Sequence, residues 1–375
     1  MSDVLTTDIE SSISRDWLNE FRNKAARNRI PVSGMLELTS RCNLRCVHCY
    51  LGPQAEQQQQ RSREMTTEQV FRVLDEVIEA GCLLLTITGG DPMMRKDFVE
   101  VYRYAREKGV FITVFCDGIL VHDEIINLFR ELPPRCVEVS LYGASAATYE
   151  RVTRVPGSFK WAMRGIRRLL DNKIRVKLKT VLMSVNQHEL GEMEQIAREF
   201  GVPFRFDGAI FPCLPDGDRD PLRLRLSAEE IVTHEMATGE QRKAWTHAYD
   251  GAQQAAPTDN VYTCGAGQTS FYIDPYGNLS PCLMTTHHRF SLENTTFRQT
   301  WKNEFSQIRR KRYGKSRKPI PVKLRGACSH CPGVNHLETG DETIESPFAL
   351  ELASARHKAI IKEKEKMSNG HPGIT

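Results

Sequence analysis

No apolar run in this 375-residue chain approaches the roughly 20 residues that a membrane-spanning helix requires, which argues against spanning helices. An export signal, basic and then apolar, is also missing. The chain opens MSDVLTTDIESSISRDW, acidic and polar, so a cytoplasmic location is expected. Charge of one sign is scarce: the net charge is +4 and it is scattered. The runs RRKRYGKSRK and HKAIIKEKEK read as solvated surface, and without a clustered basic face nucleic acid is not an expected partner. With 40% hydrophobic and 26% charged residues the composition excludes wholesale disorder. What the chain does have is cysteine, eleven in all. A reducing compartment keeps thiols from pairing, so metal binding is the better first assignment.

Residues 1–32 form a polar leader in which Trp17, Leu18 and Phe21 make an apolar stripe at helical spacing, expected to pack on the outside of the adjoining domain. From Met35 onward, short β-rich runs alternate with amphipathic helical ones. Strands are expected at Met35–Leu38, Leu83–Thr88, Phe111–Phe115, Cys136–Leu141, Val176–Met183 and Phe204–Phe206, with a helical pattern after each. Six βα repeats, against the eight of a closed TIM barrel, imply an α/β fold with a partial, open (β/α)6 barrel over 33–225. A helical linker (226–259) leads to a small cysteine-rich domain (260–335) with a hairpin signal at SFYIDPYGNLSPC. A charged helical tail (336–375) ends in SNGHPGIT, which is expected to fray.

In such barrels the chemistry sits on the loops after the strands. RCNLRCVHCY, directly after the first strand, places Cys42, Cys46 and Cys49 on one loop. Three thiolates can hold three irons of a [4Fe–4S] cube and leave the fourth open. A zinc site completed by His48 is the alternative, as are three unrelated buried cysteines. Cys264, Cys282, Cys328 and Cys331 make a second set that would close a site completely, for zinc or iron–sulfur alike. Cys82 and Cys136 lie beside apolar strands and read as core. Cys213, in the loop after the sixth strand, could face the substrate mouth. Asp207, ending that strand, is either a proton acceptor at the rim or a cap for its loop. His287 and His288 read as exposed loop residues rather than ligands.

CNLRCVHC resembles the Cys-x3-Cys-x2-Cys signature of the radical S-adenosylmethionine (SAM) superfamily, over roughly residues 33–335. The resemblance implies a catalytic [4Fe–4S] cluster on Cys42, Cys46 and Cys49, with SAM chelated at the open iron and cleaved to a 5′-deoxyadenosyl radical. TGGDP is similar to the family's Gly-Gly-Glu-Pro motif, which implies that Gly89, Gly90, Asp91 and Pro92 contact SAM, with Asp91 where glutamate is commoner. Ser140 matches a fourth-strand polar position, and Lys179, Thr180 and Asn186 lie in a segment resembling the SAM-supporting fifth strand. FCDG departs from the family's Thr-Asn-Gly turn at Cys116 and Asp117. CGAGQTSFYIDPYGNLSPC resembles the opening of a SPASM domain, and the absence of cysteine beyond Cys331 points to its shortened twitch form, with one auxiliary cluster on Cys264, Cys282, Cys328 and Cys331.

On this resemblance the expected activity is radical modification of a peptide, with an external electron donor and a separate leader-peptide-binding protein as partners. A radical SAM dehydrogenase of a small molecule, such as an aminocyclitol or a tetrapyrrole-pathway intermediate, is the alternative. A non-catalytic iron–sulfur or zinc sensor accounts for the cysteines but not for TGGDP and the barrel repeats.

Overall fold

Each of the first six strands runs into a helix that carries the chain back to the same end of the sheet, so successive strands pair side by side in parallel. The computed structural model describes residues 15–214, 217–254, 258–314, 320–328 and 330–369. The six strands are β1 (Ser33–Thr39), β2 (Leu84–Gly89), β3 (Phe111–Cys116), β4 (Cys136–Ser140), β5 (Val176–Val181) and β6 (Phe204–Asp207). Beyond them lie β7 (Ser270–Ile273), β8 (Asn278–Ser280) and β9 (Phe290–Ser291). All nine form one sheet in the order β6-β5-β4-β3-β2-β1-β7-β8-β9, parallel from β6 through β7 and antiparallel beyond. The hairpin expected near residue 275 is present, but it extends the barrel sheet: β7 pairs with β1, Met35 opposite Tyr272.

The helices form for local reasons and stay for tertiary ones. Thr67–Glu79 starts on a Thr66/Gln69 capping box and buries Val70, Val73, Leu74 and Val77, one helical face, against the sheet. On β1, Leu36 and Leu38 enter the same apolar core, so the alternating positions Glu37 and Thr39 point into the barrel. That alternation carries polar side chains inside: Phe115 lies opposite Glu138, and Ser140 opposite Lys179.

The leader helix Arg15–Asn28 buries Leu18 of the apolar stripe, while Trp17 stays exposed. It is pinned at its end, where Trp301 Nε1 donates to the Arg29 carbonyl at 2.7 Å. The linker and tail are more than connections. Helices Ala228–Ala237 and Gly239–Gln254 pack with Pro347–Asn369, burying Tyr249, Ala353 and Ile360. Of the SNGHPGIT end, residues 370–375 lie outside the described residues. Among the described residues no helix is long and apolar enough to cross a membrane.

A buried ion pair joins these helices: Arg356 Nε and Nη2 donate to Glu235 Oε2 and Oε1 at 2.7 and 2.6 Å. Arg356→Met strands a buried carboxylate and is expected to cost about 3–5 kcal/mol in urea unfolding. The same change at Arg103, which pairs with Glu131 at the surface, should cost no more than about 1 kcal/mol. Equal effects would remove the distinction.

Candidate functional site

The loop after β1 is held from several sides, which fixes where its three thiols point. Gly90 N and Asp91 N donate to the carbonyls of Thr39 and Arg41 at 2.8 and 3.0 Å, zipping the end of β2 to the start of the loop. Arg45 N and Val47 N donate to Thr153 and Val152 at 2.9 and 3.0 Å. Gln54 Oε1 accepts from Cys42 N at 2.8 Å. A bidentate pair, Arg41 Nε and Nη2 to Glu64 Oε1 and Oε2 at 3.1 and 3.0 Å, braces the loop where both side chains are buried. Cys42, Cys46 and Cys49, half-buried and unpaired, line a cavity of about 660 Å³ together with Arg154, Cys213 and Asp218.

Burial pushes the Cys42 and Cys46 thiols well up, and neighbours add to it: Asp117, Asp91 and Cys46 around Cys42, Cys49 and Asp117 around Cys46. Such sulfurs keep their protons until a positive centre displaces them. Two polar atoms near the cysteines, His48 Nδ1 and Asp117 Oδ2, are buried without a hydrogen-bond partner, as groups that meet a cofactor can be. His48 itself lies edge-on to Tyr142, ring centres 4.7 Å apart, and burial lowers it to about 4.

The glycines of the TGGDP segment lie against the backbone at the end of β1 and the start of the cysteine loop. A Cβ on Gly90 would stand 2.3 Å from the Arg41 carbonyl oxygen, and one on Gly89 2.2 Å from that of Thr39. The close approach is therefore between β2's end and the cysteine loop. Asp91 is fully buried, its carboxylate accepting from Met93 N at 2.9 Å and Asp117 N at 3.0 Å. Burial, and then the neighbouring Asp91, push Asp117 well up, while burial raises Asp91; the two departures from the family pattern form one buried acid pair. Pro92 is buried in the short turn Pro92–Met94.

Ser140 ends β4 half-buried, its side chain beside the Tyr142 phenol. Lys179 lies inside the barrel with Nζ 3.0 Å from the Phe115 ring centre and 3.9 Å from Glu138; burial lowers it to about 7. Glu138, raised by burial, is held below the usual range overall by Lys179 and by Arg205, 2.8 Å away. Thr180 is buried, its hydroxyl donating to the Val181 carbonyl at 3.3 Å. Asn186 is buried, donating to the Tyr142 and Val181 carbonyls and accepting from Met183 N, and so braces the loop after β5. Asp207 is exposed and accepts from Ala209 N at 2.8 Å, a capping contact at the start of its loop. Cys82, Cys116 and Cys136 are core residues. Cys213 is buried beside the site, Sγ donating to the Cys49 carbonyl at 3.4 Å.

Sequence reasoning missed Glu37. Its carboxyl accepts from Tyr50 Oη at 3.1 Å and from Tyr272, and burial raises it to about 7. The unfolded chain releases this proton near 4.5, so the favourable contribution is complete below that pH and drains away as pH rises through 7. At pH 8 the buried carboxylate costs about 3 kcal/mol. Glu37→Gln should therefore stabilise the protein at pH 8 and little at pH 5 in urea unfolding; an equal gain at both would place the cause elsewhere. The signal available was an acidic residue at an inward position of an otherwise apolar strand.

In the second set, Cys282, Cys331 and Cys264 bear on one another: burial, then Cys331 and Cys264, push Cys282 up to about 12. Gly333 lets the helix Pro332–Thr339 close on the Cys282 loop, since a Cβ there would stand 2.3 Å from the Met284 carbonyl oxygen. Cys328, half-buried, packs toward Leu324 and Ala327. Among the described residues, neither cysteine set brings three sulfurs within 4.8 Å of one another. One tetrahedral zinc, with bonds of about 2.3 Å, needs sulfurs about 3.8 Å apart. A four-iron cube takes a wider set of sulfurs than a single zinc ion does.

Residues 36–199 match the model of the "Radical SAM superfamily", and residues 264–332 match SPASM, an "Iron-sulfur cluster-binding domain". The AdoMet-dependent heme synthase of Methanosarcina barkeri is 25% identical over 84% of this chain and 95% of that protein. The mycofactocin maturase MftC of Mycobacterium ulcerans is 27% identical over 80% of each. Among solved structures, Streptococcus suis SuiB bound to S-adenosylmethionine superposes with a TM-score of 0.62, covering 92% of this chain and 82% of that one at 15% identity, a likeness of fold alone.

Proposed function

Because this chain belongs to the radical SAM superfamily and carries a SPASM-type iron–sulfur domain behind its barrel, we propose that it removes a hydrogen from a peptide in a post-translational modification. The observation that carries the enzyme assignment is the loop of Cys42, Cys46 and Cys49 facing a cavity with room beside the sulfurs. Those three residues would hold the catalytic [4Fe–4S] cluster, and Cys264, Cys282, Cys328 and Cys331 an auxiliary one. Bound there with SAM, the reduced cluster supplies a 5′-deoxyadenosyl radical.

The chain's own residues bind, brace and shield. The Gly89–Pro92 segment and Ser140 line the strand ends where SAM would lie, and Lys179 with Glu138 sets the charge inside the barrel. Asp91 and Asn186 act as braces for the loops around them. Peptide modification draws its support from relatives: MftC, and the subtilosin biosynthesis protein AlbA of Bacillus subtilis, 25% identical over 76% of this chain. A cytoplasmic setting, an external electron donor and a separate leader-binding protein belong to the same proposal.

A second assignment, to a tetrapyrrole, is favoured by the heme synthase, which matches over almost its whole length. Anaerobically reconstituted protein given SAM and reductant should form 5′-deoxyadenosine faster when a precursor peptide encoded beside its gene is added, and the peptide should lose hydrogen mass. Stimulation by an iron porphyrin with propionate side chains instead would transfer the assignment to the tetrapyrrole. No 5′-deoxyadenosine from fully loaded protein would sink both.

A further inference from the structure

Apart from the cysteines, one group of ligand-bearing side chains among the described residues has been gathered from distant parts of the chain. His287 and His288 stand in the loop before β9, and Glu342 in the turn after the helix Pro332–Thr339. Glu342 is buried and both histidines are half-buried. His287 Nε2 and His288 Nε2 each lie 2.9 Å from Glu342 Oε2, and the three ligand atoms are all within 4.8 Å of one another. Tyr262 Oη donates to the same Oε2 at 2.6 Å, while the Lys311 ammonium takes Oε1. Four polar side chains thus surround the Glu342 carboxyl.

Three polar atoms therefore converge on one carboxylate oxygen, which has two lone pairs. A knot of ordinary hydrogen bonds leaves one of them without a place. A cation removes the conflict, because the imidazoles then present lone pairs to the ion rather than protons to the oxygen. One lone pair of Oε2 goes to the ion and the other to Tyr262. We propose that His287 Nε2, His288 Nε2 and Glu342 Oε2 form a mononuclear site for a divalent first-row transition-metal ion, separate from both cysteine sets.

Two imidazoles and one carboxylate are the donor set of open iron(II) and zinc sites. Ligand atoms 2.9 Å apart suit neighbouring right-angle positions around an ion with bonds of about 2.1 Å. Lys311 occupies Oε1, which keeps Glu342 monodentate and offsets part of its charge. That disfavours Mg²⁺ and Ca²⁺, which require several oxygens, and leaves ions that accept nitrogen. His336 stacks on His287 with ring centres 3.9 Å apart and fixes its plane. His288 lines a shallow depression with Gln307 and Lys311, a path from solvent. Three protein ligands leave positions for water or a small anion.

Cobalt(II) is the probe. Cluster-loaded protein, first treated with chelator and kept anaerobic, should take up one cobalt per chain, with weak ligand-field bands and no intense thiolate-to-cobalt band. His288→Ala and the volume-conserving His287→Gln should each weaken uptake at least tenfold with iron content unchanged, and zinc should displace the cobalt where excess magnesium does not. No cobalt uptake, uptake in both variants equal to that of the wild type, or a thiolate band overturns the proposal. Should His288→Ala lose iron or fold poorly, the wild-type stoichiometry and spectrum together with His287→Gln decide it.

Discussion

Replacing Cys42, Cys46 and Cys49 together with alanine should lower the iron of the reconstituted protein from about eight to about four per chain and reduce 5′-deoxyadenosine formation to that of a protein-free control. All three sulfurs face one cavity on a loop fixed by backbone hydrogen bonds from β2 and from the helix Ala146–Thr153. Their removal leaves the fold's apolar core untouched, so unfolding cannot account for the loss. Cys82→Ala is the matched control: its sulfur is buried among apolar side chains and donates to the Leu84 carbonyl. That variant should keep both iron and cleavage while losing roughly 1–2 kcal/mol of stability. Full iron in the triple variant would show that the cluster lies elsewhere.

Gly90→Ala should produce the second large effect. The added Cβ would lie 2.3 Å from the Arg41 carbonyl oxygen and 2.5 Å from its carbon, backbone atoms that no side-chain rotation can move aside. Either β2's end or the cysteine loop must shift, at a cost of about 1–3 kcal/mol. The loop is also tied by the Arg41–Glu64 pair, so the strain falls on the geometry of the three sulfurs. The expected result is a lower melting temperature and loss of the first cluster's iron, with the iron of the second set retained. Normal iron and normal melting would mean that the two segments are not packed as described.

The two variants bear on different levels of the same site. The cysteine triad supplies the donors, and Gly90 supplies the distance at which they are held. Mutating the first removes chemistry from an intact scaffold, whereas mutating the second distorts the scaffold beneath intact chemistry.

How much of this is legible in the residues alone depends on how local each feature is. The six barrel strands are readable, with ends within about two residues, because alternation and helical periodicity are short-range patterns. The cysteine triad is readable for the same reason, since three ligands fall within eight consecutive residues. The acid pair of Asp91 and Asp117 is visible only as two separate departures from a motif. Nothing in the residues between them says that the ends of β2 and β3 bring the carboxyls together. His287 and His288 read as exposed loop residues, and the structure places them against Glu342, more than fifty residues on. The tail reads as a charged helix with a fraying end, yet Arg356 and Ile360 are buried against helices that begin over a hundred residues earlier.

By itself, then, the order of residues determined the parallel α/β repeat, the ligand types and their spacing on the β1 loop, and through them the family. These rest on dihedral preference, periodicity and side-chain chemistry, all set within a few residues. Only the tertiary structure decided that β7 joins the barrel sheet at β1, that the glycines of TGGDP serve packing between two loops, that Glu37 is an acid near 7, and that a histidine pair meets a buried carboxylate. Each of these depends on which distant segments meet and on how completely they exclude water, and burial and proximity are properties of the folded chain rather than of any stretch of it.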